Sequence, residues 1–331
     1  MTSKIPWLLP EGVDEILPPR ALQIERLRRR LVDLYTKRGY ELIMPPIIEF
    51  SETLGGKAHD ELSEVSFTFK DSLSGKNISL RPDISSQAAR IDGYRLDSKK
   101  ISKLCYVGDV IKSKPSTSVG SRLTIQAGAE IFGQSSIEAD LESIELMIAS
   151  LETIGIENIT LSLGHSGLMN LILNYYKKLL PGKEGDIRNA LSTKSSQDIK
   201  EIFGDTLDKK DEDMLLAITS LFGGKEILKK ARLVFDRLGS EAQVCINFIE
   251  DIVSRLTLND LEIHIDLGEI QGFKYHTGLT FSAFINDAGY PLSKGGRYDG
   301  ISKIESPRAA VGFDLDILAV SKYTKYDFKD G

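Results

Sequence analysis

Four short segments carry side chains that could bind or transform a small polar molecule. The first ends with Asp83, whose carboxylate is suited to accept hydrogen bonds from an ammonium group. The same residue type also fits a helix N-cap, and the pattern favours neither role. In the second segment, Gln126, Gly128 and Glu130 share one face of a predicted strand. A polar face with a bare glycine leaves room for a small ligand, although a solvent-exposed sheet face has the same pattern.

The other two segments combine glycine with aromatic and basic side chains. The third, residues 271–278, includes Tyr275 and His276 beside glycines and leads into a predicted strand. A single histidine is more often structural, so this segment indicates a pocket only together with the others. The fourth, residues 295–300, has three glycines in six positions, which permits tight backbone packing or an ordinary turn.

Composition limits the classes of protein to consider. The 331 residues suggest two domains, or one large domain with an insertion. A hydrophobic content of 41% and a charged content of 27% are typical of a globular chain. The formal net charge of −6 argues against a mainly electrostatic nucleic-acid binder.

The remaining global signals favour a cytoplasmic protein. The two cysteines, Cys105 and Cys245, are too far apart in sequence for a CxxC motif and make no disulfide framework. The N-terminal stretch lacks the apolar core of a signal peptide, and no apolar run is long enough for a membrane span. The GxGxxG and GxxxxGK[ST] nucleotide-binding patterns are also absent from the sequence.

Hydrophobic periodicity predicts an α+β chain whose sheet is antiparallel and flanked by helices. Residues 66–70 and 77–81 alternate around a polar turn, which predicts a hairpin. Other strands are predicted at 40–44, 104–107, 123–132, 159–163, 261–267, 279–285 and 290–293. Helices are predicted after Pro19 as far as Gly39, at 84–91 and 137–154, and from near Asp314.

The middle of the chain is predicted to be a helical insertion over residues 167–256. Its helical patterns cover 167–180, 186–202, 211–221, 225–238 and 241–255. Residues 1–166 and 257–331 would then form one core.

In this order, the four segments resemble those of histidyl-tRNA synthetase, a class II synthetase, over nearly the whole chain. The resemblance implies the class II catalytic-core fold. Residues 39–46 resemble the class II dimer motif, 68–71 with 80–83 the family hairpin, 106–108 through 126–133 motif 2, and 272–278 and 295–300 the histidine-specific motifs.

The chain departs from this family at the positions that act on ATP. The motif 2 arginine that holds the ATP α-phosphate corresponds to Lys112, and the following glutamate to Lys114. The motif 3 arginine that packs on adenine corresponds to Ala319, and the histidine-motif arginine to Gln271. Lysine does not reproduce an arginine fork, and alanine donates nothing. The resemblance therefore implies no catalytic residues and a loss of aminoacylation activity.

The amino-acid side of the family pocket is largely retained. Asp83 and Gln126 would bind the ammonium group of histidine, and Glu130 and His276 its imidazole; the sequence leaves open whether Gln271 or Lys112 meets the carboxylate. The full predicted set is Asp83, Ser85, Lys112, Gln126, Glu130, Gln271, Tyr275 and His276 for histidine, with Gly128, Gly295, Gly296, Arg297 and Tyr298 shaping the pocket.

A synthetase core with this pattern resembles the family of bacterial regulatory subunits of ATP phosphoribosyltransferase. The chain ends soon after motif 3, which predicts no C-terminal anticodon-binding domain and no tRNA partner. The resemblance implies a short-form catalytic subunit as partner, in the first step of histidine biosynthesis, and L-histidine as feedback effector. It also implies a homodimer within a larger hetero-oligomer, with no cofactor and no metal ion. The alternative is a truncated synthetase-like enzyme that activates an amino acid with ATP.

Overall fold

A computed structural model of the chain describes residues 8–54, 59–97, 99–115, 120–203, 208–257, 261–268, 276–300 and 308–325, with side chains omitted at 59–61 and 203. Its strands are β1 (Glu41–Leu42), β2 (Ile48–Phe50), β3 (Thr68–Lys70), β4 (Asn77–Leu80), β5 (Ser102–Ile111), β6 (Leu123–Phe132), β7 (Thr160–His165), β8 (Phe222–Gly223), β9 (Glu262–Asp266), β10 (Leu279–Phe284), β11 (Ser293–Arg297) and β12 (Ala310–Asp316). The α-helices are α1 (Arg20–Lys37), α2 (His59–Glu64), α3 (Ser85–Arg95), α4 (Ile137–Thr153), α5 (Ser166–Leu179), α6 (Glu184–Ser192), α7 (Ser196–Phe203), α8 (Lys209–Ile218), α9 (Ile227–Val234), α10 (Ser240–Arg255) and α11 (Ile317–Val320).

Nine strands form one large sheet in the order β1-β5-β6-β12-β11-β10-β7-β9-β8. Most neighbours are antiparallel, as the hairpin pattern predicts, and β5 and β6 pair along ten residues each. Two pairings, β1 with β5 and β7 with β9, are parallel, so the sheet is mixed. The predicted hairpin of residues 66–81 is confirmed: β3 and β4 pair antiparallel, and β2 completes a three-stranded sheet.

Helices α1 and α4 cover one face of the large sheet because each carries an apolar stripe. In α1 the buried residues Ile24, Leu27, Leu31 and Tyr35 recur at three- and four-residue spacing. They pack with inward-facing residues of the central strands, including Ala129 and Phe313, in the main core. The opposite face carries the polar side chains Gln126 and Glu130 together with a second apolar cluster that includes Leu104 and Phe132.

Helices α5 to α10 lie in sequence between β7 and β9, and most of their buried apolar residues join the same core. The predicted single helix over 186–202 is wrong: α6 and α7 are separate. Lys194 between them has a φ of 51°, which an α-helix cannot contain. The short strand β8 within this region was not predicted.

The C-terminal part differs most from the sequence-based prediction. Residues 310–316 form β12 at the centre of the sheet, and the last helix begins at Ile317 rather than near Asp314. The strand predicted at 290–293 instead runs over 293–297 as β11. This change matters because β11 and β12 both contribute side chains to the candidate site.

Candidate functional site

A cavity of about 410 Å³ opens on the polar face of the large sheet. It is lined by strand residues, by the start of α3 and by the segment before β11. The lining residues are Pro82, Asp83, Ser85, Val110, Lys112, Thr124, Gln126, Glu130, His276, Tyr290, Pro291, Leu292, Ser293, Lys294, Gly295, Tyr298, Gly312, Phe313, Asp314, Leu315, Asp316 and Ala319.

Strand alternation brings the chemical groups of the cavity together. On β6, Gln126 and Glu130 project from the same face, with Gly128 between them. Strand β12 pairs antiparallel with β6, so that Asp314 lies opposite Gly128 and Asp316 opposite Gln126. One open sheet surface thus presents two aspartates beside an amide and a glutamate.

Glu130 is the most enclosed acid in the cavity, with 1% of its surface exposed. The Tyr298 hydroxyl donates to Glu130 Oε2 at 2.5 Å, and the Tyr106 hydroxyl to Oε1 at 3.0 Å. The Ser85 and Tyr106 hydroxyl oxygens are 2.9 Å apart, which extends the network to α3. Burial raises the pKa of Glu130 to about 8, against the opposing effect of these hydrogen bonds.

Two glycines make room for this arrangement. Gly312 lies opposite Glu130 in the β6–β12 pair, and a Cβ atom there would overlap the Glu130 carboxylate. A Cβ on Gly128 would come within 2.5 Å of the Tyr106 hydroxyl oxygen. Both positions therefore require a residue without a side chain.

The Asp83 carboxylate caps the start of α3 and lies beside Gln126, while its role toward an ammonium group stays a prediction. Its Oδ2 accepts a hydrogen bond from the Ser86 backbone N–H at 3.0 Å, in the first turn of α3. Its Oδ1 accepts from Gln126 Nε2 at 2.8 Å, while Gln126 Oε1 accepts from the Ile84 backbone N–H at 2.7 Å. The cap fixes the carboxylate beside Gln126 at the cavity wall.

Sequence reasoning missed Asp314 and Asp316 because it assigned this region to a helix. Burial, and then the charge of Asp83, raise the pKa of Asp314 to about 7. Burial raises the pKa of Asp316 to about 6, although Asp316 also accepts from the Leu318 backbone N–H at 2.9 Å. The alternation of Phe313 and Leu315 with the two aspartates was the available signal for a strand.

Arg297 does not line the cavity, in contrast to its predicted pocket-shaping position. Its side chain lies on the face of β11 that is turned toward α4. There, Arg297 Nη2 is 2.6 Å from Asp140 Oδ2, and Arg297 Nε is 3.0 Å from Asp140 Oδ1. Gly128 and Gly296 are not lining residues either. A Cβ on Gly296 would be 2.7 Å from the His276 ring, so this glycine lets the histidine lie against β11.

The other predicted residues fall into two groups. Asp83, Ser85, Lys112, Gln126, Glu130, His276, Gly295 and Tyr298 all line the cavity. Gln271 and Tyr275 lie outside the described residues. Lys294, on β11, is a lining cation that sequence reasoning did not single out.

The described cavity lining contains no arginine. Ala319 is buried in its wall and offers only a methyl group, while Lys112 is a single ammonium without a planar fork. Within the described part of the chain, no three His, Cys, Asp or Glu side chains are grouped to hold a metal ion. Among the described helices, none has the length and apolar character to cross a membrane.

Comparison with known proteins identifies the family. A model of the histidyl-tRNA synthetase family matches residues 12–320. The ATP phosphoribosyltransferase regulatory subunit of Alkalilimnicola ehrlichii is 40% identical over 316 residues, covering 94% of this chain and 78% of the relative. The chain belongs to the family of ATP phosphoribosyltransferase regulatory subunits. The regulatory subunit of Saccharophagus degradans is 36% identical, covering 96% of this chain and 82% of its own length.

A solved structure from Bacillus halodurans agrees with this family of regulatory subunits. It is described as an ATP phosphoribosyltransferase regulatory subunit/histidyl-tRNA synthetase. Its TM-score to this chain is 0.85 at 25% sequence identity, covering 98% of this chain and 85% of that chain. The resemblance to histidyl-tRNA synthetase and the predicted class II core with flanking helices are thereby confirmed.

Proposed function

We propose that this regulatory subunit binds L-histidine in the cavity and transmits feedback inhibition to a short-form catalytic subunit of ATP phosphoribosyltransferase. That subunit would carry out the first step of histidine biosynthesis, and the present chain would be required for its full activity. The observation that carries the proposal is the enclosed Glu130, held by two tyrosine hydroxyls next to the Asp83–Gln126 pair. These groups complement an imidazole and an ammonium on one small molecule.

Glu130 is suited to the imidazole of histidine. Because its pKa is about 8, most of the carboxyl is protonated at neutral pH in the empty cavity. A ligand that donates an N–H to the carboxylate stabilises the ionised form, and charge-assisted hydrogen bonds of this kind are strong. His276 also lines the cavity and would be a second partner of the ring.

Asp83 and Gln126 are suited to the ammonium group. The Asp83 carboxylate is only 3% exposed and already oriented by two hydrogen bonds. An ammonium group placed beside it gains an ion pair without the cost of ordering the side chain.

We further propose that the chain does not activate an amino acid with ATP. Ala319 offers no cation to lie on an adenine ring, and Asp316, which also lines the cavity, adds a carboxyl group. Negative charge opposes phosphate binding, and the loss of a positive group at a developing phosphorane typically costs orders of magnitude in rate.

Inhibition by histidine requires that the ligand binds one state of the complex better than the other. A coupling free energy of about 1–3 kcal/mol is sufficient for useful regulation. The start of α3 lines the cavity through Ser85, so we propose that this helix carries the effect of a bound ligand to the partner.

We also propose that the chain forms a homodimer within the hetero-oligomer. The segment before and within β2 exposes a set of apolar side chains, termed the 42–50 apolar surface: Leu42, Met44, Ile47, Ile48 and Phe50. Met44 is 79% exposed. Exposed apolar groups this close together are typical of an interaction surface, and the segment overlaps the class II dimer motif.

The test measures phosphoribosyltransferase activity of a short-form catalytic subunit with and without this chain, across a histidine titration. Activation by the chain that histidine reverses supports the proposal. No activation and no co-elution of the two proteins contradicts it. Histidine-dependent ATP–pyrophosphate exchange by the chain alone would favour the amino-acid-activating alternative.

A further inference from the structure

Lys294 and Asp314 form a cross-strand pair on the cavity face of the sheet. They are register partners in the antiparallel pairing of β11 with β12. Side chains directly opposite in such a pair start about 4.5–5.5 Å apart at Cβ and point to the same side. Both residues line the cavity, so an ammonium and a carboxyl group face one ligand space from neighbouring strands.

On the β6 side, side chains that line the same cavity lie next to this pair. Asp314 is opposite Gly128, which has no side chain, while Gln126 and Glu130 flank that glycine. The Tyr106 hydroxyl group fills the space over Gly128, so a small molecule would lie in the cavity that Asp314, Gln126, Glu130 and Lys294 line.

The electrostatics at this end of the cavity match a zwitterion. Burial and then the charge of Asp83 raise the pKa of Asp314, whereas the charges of Lys112 and Lys294 lower it, so all three charged groups act on Asp314. Two adjacent carboxyls disfavour joint ionisation until a cation arrives between them. An amino acid supplies that cation together with an anion for a lysine.

We propose that Lys294 binds the α-carboxylate of the amino-acid effector and that Asp314 joins Asp83 in binding its α-ammonium, as a clamp built from two adjacent strands. This inference rests on the proposed function. The clamp supplies the carboxylate-binding cation that the sequence analysis left open between Gln271 and Lys112.

Lys294 is favoured over Lys112 by its position. Lys294 is directly opposite Asp314, so that the two side chains approach one ligand from neighbouring strands. Lys112 follows the end of β5, its backbone N–H bonded to the Arg122 carbonyl, and its charge acts on Asp316 as well as on Asp314.

Calorimetric titration at pH 8 with three probes separates the two halves of the clamp. L-histidine has both charged groups, histamine lacks the carboxylate, and 3-(imidazol-4-yl)propionate lacks the ammonium. The proteins are the wild-type chain, Lys294→Gln, Lys112→Gln, the isosteric Asp314→Asn and the exposed control Lys322→Gln. Thermal melting of each variant verifies folding.

A crossed pattern is expected. Lys294→Gln lowers the affinity for L-histidine and for the propionate about ten- to a hundredfold, the loss expected when a hydrogen bond to a charged group is removed. Its affinity for histamine stays within about twofold of the wild type. Asp314→Asn lowers the affinity for L-histidine and histamine but leaves the affinity for the propionate unchanged. The Lys322→Gln control binds all three probes as the wild type does.

Three results would overturn the inference. In the first, Lys294→Gln lowers the affinity for histamine as much as the affinity for histidine. In the second, Lys294→Gln leaves the affinity for histidine unchanged. In the third, only Lys112→Gln lowers the affinity for the two probes that carry a carboxylate. Each of these leaves the proposed function intact, since the wild type still binds histidine. If the wild type binds no histidine, both the proposed function and the clamp are wrong.

Discussion

Glu130 holds a proton in the folded chain that a free glutamate would release. Its pKa is about 8 in place of 4.5 because the carboxyl group is buried. At pH values between these two pKa values, the folded state binds more protons than the unfolded state. The contribution of this group to the free energy of unfolding therefore falls as pH rises. Each pH unit contributes at most about 1.4 kcal/mol to the free energy of unfolding.

Substitution Glu130→Gln should remove this pH dependence. The variant is expected to resemble the wild type near pH 5 and to be more stable by about 2 kcal/mol or more at pH 8, since an amide cannot ionise. Urea unfolding between pH 5 and pH 8.5 measures the difference. The exposed variant Glu241→Gln is the control, and parallel pH profiles for Glu130→Gln and wild type would show that Glu130 ionises normally.

At the residue scale, sequence reasoning identified much of the cavity but not its charge balance. Asp83, Gln126 and Glu130 were found because strand alternation and family motifs both mark them, and they do line one cavity. Asp314 was missed because the end of its strand was assigned to a helix, and Lys294 because the strand predicted at 290–293 stopped one residue before it. That histidine binds among these residues remains a prediction.

Strand β12 can lie beside Glu130 only because position 312 lacks a side chain. Gly312→Ala would bring a Cβ against the Glu130 carboxylate and within 2.6 Å of the Ala129 carbonyl oxygen. We expect a loss of about 1–3 kcal/mol in stability from overpacking and weaker histidine binding. The matched control is Gly289→Ala, where a Cβ meets nothing within 4 Å. Equal melting temperatures and equal histidine affinities for the two variants would contradict this account.

The Arg297–Asp140 pair connects β11 to α4 and has no group in the cavity. Its side chains are 9% and 0% exposed, so loss of one partner leaves a buried charge. Arg297→Gln should lower the free energy of unfolding by about 3–5 kcal/mol. The exposed Lys325–Glu157 pair is the comparison, and Lys325→Gln should change the free energy of unfolding far less, because water screens exposed charges.

The same variant tests whether Arg297 shapes the ligand site. Histidine affinity of folded Arg297→Gln, measured well below its melting temperature, should stay within about twofold of wild type. A large loss of affinity without a loss of stability would restore the pocket-shaping role that sequence reasoning assigned to this arginine.

Elements of the fold were predictable where the chain pattern is long and regular. The ten-residue strands β5 and β6 and the helices α1 and α4 follow from their alternation or apolar stripes. The region 310–320 was not predictable, because β12 passes directly into α11. The apolar residues of this region fit both the two-residue period of a strand and the 3.6-residue period of a helix. The parallel pairs β1–β5 and β7–β9 join segments distant in sequence, which local patterns do not encode.

At the scale of the whole molecule, the 42–50 apolar surface predicts self-association. Met44→Glu should shift the chain from dimer toward monomer, since a charge at the centre of an apolar interface opposes its burial. Light scattering after size exclusion measures the mass. Leu233→Glu is the control, because Leu233 on α9 is 81% exposed and lies far along the chain. A monomeric wild type, or a dimer unaffected by Met44→Glu, would contradict the proposal.

The most direct test of the central claim compares histidine inhibition of two complexes. The catalytic subunit is assembled with wild-type chain or with Glu130→Ala, and each rate is expressed relative to the same complex without histidine. We predict that the Glu130→Ala complex needs at least about tenfold more histidine for half inhibition, because the buried partner of the imidazole is lost. Superimposable inhibition curves would show that histidine does not act through this cavity.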